Sequence, residues 1–242
     1  MRRGATMGHS SPKISSERTG RRQGRLFGDE THFLKTLFER PRLTGAVAPS
    51  GRFLARAMAR AVDPGGEGLV VELGPGTGPV TRALIERGVA RERLVLVEYD
   101  DGFCQLLAQR FAPVRVVRGD AYDLPRTLAG LLDRPIVAVV SSLPLLNQPP
   151  AMRAKLIADA FALMGEGGVF VQFTYGLASP IPRETCSGRF SAHCSAPIWR
   201  NLPPARVWTY RADPNAAFAE PVLARIRRGA VRLMRRGRAS VE

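Results

Sequence analysis

A glycine-rich segment directly after an apolar run constrains the fold most strongly. Residues 70 to 80 read VVELGPGTGPV, in which Glu72 precedes Gly74, Gly76 and Gly78. An apolar run that stops on glycines before a helical pattern is typical of an α/β sheet, in which backbone N–H groups at the start of the helix face a ligand. The segment therefore predicts a parallel sheet with a nucleotide-like ligand at its carboxyl edge.

The spacing of these glycines argues against two common phosphate sites. A dinucleotide fingerprint would place its third glycine at position 79, where this chain has Pro79. A P-loop needs a lysine followed by serine or threonine, and no lysine follows here. The segment thus favours a ligand that is not held through its phosphates.

Acidic residues end two further apolar runs. The run Leu94 to Val97 is followed by Glu98, and the run Val114 to Val117 is followed shortly by Asp120. Since the carboxyl ends of successive parallel strands meet at one edge, we expect these acids to join Glu72 in a single site. An acid about 20 residues beyond the glycines is suited to accept hydrogen bonds from ribose hydroxyls.

This arrangement resembles the E/D-x-G-x-G-x-G loop of class I S-adenosylmethionine-dependent methyltransferases. The resemblance implies a Rossmann-like α/β fold, with a mostly parallel seven-stranded sheet and helices on both faces, and S-adenosyl-L-methionine as the cofactor. In that family the first acid holds the cofactor's amino group, and the third acid and the next N–H meet the adenine. The resemblance assigns the following residues to the cofactor site: Glu72, Gly74, Gly76, Gly78, Glu98, Tyr99, Asp120, Ala121 and Ser141.

Alternating apolar runs and helical patterns predict the positions of five strands. The strands are expected at Leu69–Leu73, Leu94–Glu98, Val114–Arg118, Ile136–Val140 and Val169–Thr174. A helix is expected from Ala151 to Leu163, ended by the glycines at 165, 167 and 168.

The segment after the fourth strand bears on the methyl acceptor. Adenine N6-methyltransferases carry an N-[apolar]-P-[aromatic] motif there, whose amide holds the base and whose ring stacks on it. Here the same frame reads Ser142-Leu143-Pro144-Leu145. Serine cannot make the two contacts of an amide, and leucine has no aromatic face, so the segment disfavours an adenine acceptor.

Four segments together resemble the bacterial phospholipid N-methyltransferases. They are ELGPGTGPVTRALIERGV (72–89), SSLPLLNQPP (141–150), VQFTYG (171–176) and WRNLPPARVWTY (199–210). This resemblance covers about Phe33 to Tyr210 and implies methylation of the phosphatidylethanolamine amine towards phosphatidylcholine, with rRNA adenine N6-methylation as the alternative.

The acceptor site is expected to combine an aromatic ring with arginines. Tyr175 is assigned as the catalytic residue that contacts the head group, because aromatic faces attract methylated ammonium groups. Ser142 is placed beside it. Three arginines are candidates for the lipid phosphate, since a guanidinium suits that group: Arg183, Arg189 and Arg206.

Charge and flanking segments suggest a membrane partner. The formal net charge is +15, which draws a protein to polyanions. We divide the chain into a disordered basic start (1–23), an amphipathic helix (24–40), a methyltransferase domain (41–211) and a basic amphipathic or disordered tail (212–242). The helix either packs on the core or lies in a membrane interface, and it is assigned to the interface.

Other classes of protein fit the sequence poorly. The three cysteines have no metal-ligand spacing, so no metal is expected. The sequence shows neither an apolar stretch of about 18 residues nor the apolar centre of a signal peptide. We therefore expect a cytoplasmic protein attached peripherally to the inner face of the cell membrane, with an anionic phospholipid surface as partner and nucleic acid disfavoured.

Overall fold

The described part of the chain forms one mixed sheet flanked by helices. The computed structural model describes residues 49–182 and 190–212. The strands are β1 (Leu69–Leu73), β2 (Leu94–Glu98), β3 (Arg115–Arg118), β4 (Ile136–Ser141), β5 (Met164–Thr174), β6 (Phe190–Cys194) and β7 (Arg206–Ala212). The helices are α1 (Pro49–Arg60), α2 (Pro79–Glu86), α3 (Asp101–Phe111), α4 (Leu124–Thr127) and α5 (Pro150–Leu163). Short 3-10 turns lie at Arg91–Arg93 and Leu145–Asn147.

The seven strands are ordered β3-β2-β1-β4-β5-β7-β6. Strands β1 to β5 pair in parallel, whereas β7 runs antiparallel to both β5 and β6. The mostly parallel seven-stranded sheet expected from the sequence is thus confirmed. Chain order reverses between β1 and β4, and this is where α/β sheets of this kind open a crevice for ligands.

Alternate side chains of the strands supply two cores, one on each face. Val70 and Val140 belong to the core that includes α1, α2 and α3. Val71 and Val139 belong to the core that includes α4 and α5. All five residues of β1 and of β2 are buried, since helices cover both faces of these strands. Helices on both faces are therefore confirmed as well.

The strand boundaries agree closely with the sequence pattern except in β5. The glycines at 165, 167 and 168 were predicted to end the preceding helix, and this prediction is wrong. Helix α5 ends at Leu163 and β5 begins at Met164, so the glycines lie within the strand. The register against β4 shifts between Ile136 and Ala138, where the β5 partners are Met164 and Val169. The glycines therefore form a bulged stretch of sheet, because pairing with β4 begins before them.

Several predicted segments lie outside the described residues. They are the basic start (1–23), the amphipathic helix (24–40) and, apart from Ala212 at the end of β7, the tail (212–242). The proposed domain boundaries therefore stay predictions. Within the described ranges, no helix is long and apolar enough to cross a membrane.

Candidate cofactor and acceptor site

The buried carboxyl group of Glu72 lies at the carboxyl end of β1. The Thr81 hydroxyl donates a 2.6 Å hydrogen bond to Glu72 Oε2, while Oε1 has no partner among the described residues. Burial of the fully enclosed side chain raises the pKa of Glu72 to about 8, against the lowering effect of Thr81. The site thus presents a buried acceptor that a cationic ligand group would satisfy and return to its ionised form.

Backbone conformation and packing explain the three glycines of the loop. Gly74, Gly76 and Gly78 have φ angles of +63°, +55° and +79°, in the left-handed region. A Cβ on Gly74 would lie 2.7 Å from Leu143 Cδ2, and one on Gly78 would lie 2.3 Å from Phe111 Cε2. A Cβ on Gly76 would meet nothing within 4 Å. The outer glycines are thus required by packing, whereas the middle one borders open space that a ligand can enter.

Glu98 ties this loop to the end of β2. Its Oε2 accepts a 3.0 Å hydrogen bond from the Gly76 N–H, and its Oε1 accepts from the N–H groups of Tyr99 (2.8 Å) and Asp100 (3.1 Å). Oε2 keeps capacity for a second donor. The side chain assigned to ribose therefore also positions the backbone of the cofactor loop.

The remaining predicted cofactor residues occupy neighbouring strand ends. Asp120 follows β3, is exposed, and accepts a 2.8 Å hydrogen bond from the Tyr122 N–H at Oδ1. Ala121 is buried, and Tyr99 is 77% exposed next to Glu98. Ser141 is fully buried at the end of β4 and accepts a 3.4 Å hydrogen bond from the Leu143 N–H. Their roles towards the cofactor stay predictions.

The acceptor segment after β4 is fixed from two sides. The Ser142 N–H donates to the Leu73 carbonyl at 2.9 Å, and the Leu143 carbonyl accepts a 3.0 Å hydrogen bond from Gln172 Nε2. Gln172 is buried in β5, and its Oε1 has no partner among the described residues. Leu145, at the position of the base-stacking aromatic, is 1% exposed and belongs to the core.

Tyr175 and Arg206 lie where β5 and β7 meet at the carboxyl edge of the sheet, but on opposite faces, because side chains alternate along a strand and Phe173, Ala205 and Val207 share the face of Tyr175. Thr174 ends β5 and pairs with Arg206 at the start of β7, and Tyr175 follows Thr174 directly. The Tyr175 ring packs edge-on against Phe173 at 5.5 Å between centroids. Burial raises the pKa of Tyr175, and a hydrogen bond with Asn201 opposes that rise. The phenol is therefore neutral near pH 7, which argues against a tyrosinate base. Arg183 and Arg189 lie outside the described residues.

Three residues of the site escaped prediction from the sequence. They are Thr81, which binds Glu72; Gln172, which holds the Leu143 carbonyl; and Asn201, which binds Tyr175. Thr81 could have been suspected from the sequence, because it is a polar side chain in the first turn of the helix that follows the glycine loop. Gln172 was detectable as a lone amide within the apolar run VFVQF. Nothing in the sequence links Asn201 to Tyr175.

Among the described residues, no group of three or more His, Cys, Asp or Glu side chains is arranged to hold a metal ion. Cys104 and Cys194 are free thiols, and Cys186 lies outside the described ranges.

A known lipid methyltransferase is similar to this chain over most of its own length. The chain is 32% identical over 145 residues to an ornithine lipid N-methyltransferase of Singulisphaera acidiphila, covering 59% of this chain and 76% of the relative. A second match is short. It is 46% identical over 59 residues to ribosomal RNA small subunit methyltransferase A of Synechococcus sp., covering 23% of this chain and 20% of that protein.

A family model and a solved structure agree on the type of domain. Residues 53–130 match the model of the ribosomal RNA adenine dimethylases. The glycopeptide N-methyltransferase MtfA, solved with S-adenosyl-L-methionine, superposes with a TM-score of 0.51 at 16% identity, covering 69% of this chain and 96% of that chain. The superposition shows the Rossmann-like methyltransferase fold.

The raised pKa of Glu72 predicts a pH dependence of stability in the cofactor-free protein. Between the ordinary pKa of 4.5 and about 8, only the folded state keeps the proton. The contribution of this group is thus complete below pH 4.5 and lost as pH rises through about 8. We expect Glu72→Gln to flatten the fall in unfolding free energy over this range by up to about 1.4 kcal/mol per pH unit. Urea unfolding at several pH values measures this slope, and identical slopes in both proteins would contradict the burial argument.

Proposed function

The chain belongs to the class I S-adenosylmethionine-dependent methyltransferase family, and from this premise we propose that it methylates the amine of a membrane lipid head group. Phosphatidylethanolamine, converted towards phosphatidylcholine, is the acceptor that the sequence resemblance favours. The relative from Singulisphaera acidiphila supports lipid N-methylation in general, because its name specifies an ornithine lipid.

The residues present fit S-adenosyl-L-methionine, the cofactor of this family. Glu72 Oε1 is a buried acceptor without a described partner, and the space beside Gly76 is open. We assign Glu72 to the cofactor's amino group, Glu98 to its ribose, and Asp120 with the Ala121 N–H to its adenine. When bound, the cofactor supplies a methyl group on a positively charged sulfur.

The chain then has to position the acceptor amine and leave its lone pair free. A primary amine is mostly protonated near pH 7, so it must lose a proton before it can be methylated. The neutral Tyr175 phenol is poorly suited to take that proton. We assign the Tyr175 ring to the methylated ammonium group instead. Arg206 faces the other side of the sheet from Tyr175, so it is not assigned to the phosphate of the same lipid.

The carrying observation is the burial of Leu145. A base acceptor needs an aromatic face at this position, but the leucine here is 1% exposed within the core. Its neighbour Leu146 is 47% exposed, and Leu177 beyond β5 is 84% exposed. Exposed apolar side chains on the acceptor side suit a lipid surface better than a polar nucleic acid.

rRNA adenine N6-methylation is the second candidate, because the family model that matches residues 53–130 describes ribosomal RNA adenine dimethylases. That model ends at residue 130, which is before the acceptor segment at Ser142 to Leu145. The match therefore covers the glycine loop, Glu98 and Asp120, which any acceptor would share. It supplies no argument about the residues that choose the acceptor.

The proposal is tested by offering competing acceptors to the full chain with methyl-labelled cofactor. Vesicles containing phosphatidylethanolamine, vesicles containing an ornithine lipid and protein-free ribosomal RNA are incubated in parallel, with Glu72→Gln as the impaired control. We expect label in phosphatidylethanolamine. Label in the ornithine lipid alone would correct the head group but keep lipid N-methylation, and label in RNA alone would contradict the proposal.

Substitution of Tyr175 separates the ring from the hydroxyl. We expect Tyr175→Phe to keep kcat/KM within about threefold and Tyr175→Ala to lower it about tenfold, because a cation over a partly buried aromatic face contributes about 1.4 kcal/mol. Cofactor binding by both variants serves as the control for folding. Equal losses in the two variants would assign the effect to the hydroxyl and its hydrogen bond with Asn201.

A further inference from the structure

A polar cavity lies beside the glycine loop, where Thr77, Gly78 and Pro79 form part of its wall. Helices α1 and α2, the loop and the end of α3 enclose about 300 Å³. Four arginines line this cavity, which we call the arginine pocket: Arg52, Arg56, Arg82 and Arg110. Glu86 is the acidic residue on its wall, so four positive charges against one negative leave three in excess.

The arginines are only partly compensated. Arg56 forms a 3.5 Å ion pair with Glu86, and Arg110 Nη1 donates a 2.7 Å hydrogen bond to the Thr77 carbonyl. Arg52 and Arg82 form no ion pair with any described residue. Two guanidinium groups are thus available to an anion in a cavity whose other two arginines are held in place. Their planar donors match the oxygens of a phosphate.

An exposed apolar loop lies next to the pocket. The guanidinium groups of Arg52 and Arg200 lie 5.4 Å and 5.2 Å from the centroid of the Phe53 ring in α1. Arg200 belongs to the loop between β6 and β7, where Trp199 is 76% and Leu202 is 81% exposed. This loop lies at the carboxyl edge of the sheet, because β7 starts there opposite Thr174, at the end of β5.

We propose that the arginine pocket binds the phosphate of an anionic phospholipid in the bilayer, while Trp199 and Leu202 enter its apolar layer. Arginines beside exposed tryptophan and leucine match a surface with anionic head groups above hydrocarbon. Leu202 has no aromatic face that could stack on a nucleic acid base, so the combination of Trp199 with Leu202 favours a membrane over RNA. This proposal rests on the proposed function in one respect, because methylation of a membrane lipid gives the protein a reason to attach to the membrane. The lipid bound in the arginine pocket is not the lipid that receives the methyl group.

The test compares two variants of the full chain that lose the same charge. The double substitution Arg52→Gln and Arg82→Gln removes the two guanidinium groups of the pocket that form no ion pair with a described residue. Arg115→Gln with Arg134→Gln removes two arginines at the amino edge of the sheet whose side chains are 43% and 41% exposed and which both form ion pairs with Asp133. Sedimentation with vesicles of phosphatidylcholine and phosphatidylglycerol measures binding without cofactor. Phosphatidylglycerol has no amine, so failure of the proposed methylation leaves this result intact.

We expect the pocket variant to bind about twenty-fivefold more weakly than the wild type, because each of the two arginines near an anionic surface contributes a factor of about five. The amino-edge variant should stay within about threefold. Equal losses in the two variants would reduce the effect to general charge and overturn the proposal, as would binding that neither variant changes.

Two further measurements identify the ligand. Emission from Trp199 should shift to shorter wavelength on these vesicles, and Trp199→Phe should abolish the shift while half-buried Trp208 remains. Titration with inorganic phosphate and with protein-free ribosomal RNA provides the comparison. A pocket variant that loses RNA or free-phosphate binding but keeps its vesicle binding would overturn the membrane assignment.

Discussion

The placement of one carboxyl group, that of Glu72, within the core organises the site. Chain order in the sheet reverses between β1 and β4, and Glu72, the next-to-last residue of β1, lies there, fully buried and hydrogen-bonded to Thr81 through one oxygen. Burial of an acid with an unused oxygen is costly in the absence of a ligand, and the raised pKa reflects that cost. A cation in the adjoining space removes the cost, so cofactor binding and the stability of the core are coupled.

Two halves of the carboxyl edge carry different tasks. Glu98 holds the glycine loop through the Gly76 N–H, and Leu143 packs where any larger residue at position 74 would collide. The cofactor half is therefore determined by backbone geometry shared with many methyltransferases. The acceptor half is built from Leu145 in the core, the Gln172 amide and Tyr175, and we propose that these residues carry the choice of acceptor. Similarity to rRNA enzymes in the first half is compatible with a lipid acceptor in the second.

The sequence predicted the strands whose positions depend on their own residues, and missed those that depend on pairing with distant parts of the chain. The strands Leu69–Leu73 and Leu94–Glu98 were located to the residue, because buried parallel strands need continuous apolar runs. The start of β5 was missed, because the glycines from 165 to 168 resemble a helix stop and only pairing with β4 makes them strand. Strands β6 and β7 gave no pattern that located them, since they depend on antiparallel pairing with β5. The arginine pocket joins positions 52, 82 and 110, and sequence spacing alone does not bring them together.

Calorimetric titration with two ligands tests whether Glu72 holds the amino group of the cofactor. S-adenosylhomocysteine carries that amino group, whereas methylthioadenosine shares the adenosine and sulfur but lacks it. We expect Glu72→Gln to weaken S-adenosylhomocysteine binding about tenfold or more and to leave methylthioadenosine binding within about twofold, because only the first ligand has an amino group that loses its charged partner. Equal weakening of both ligands, or of neither, would contradict this role of Glu72.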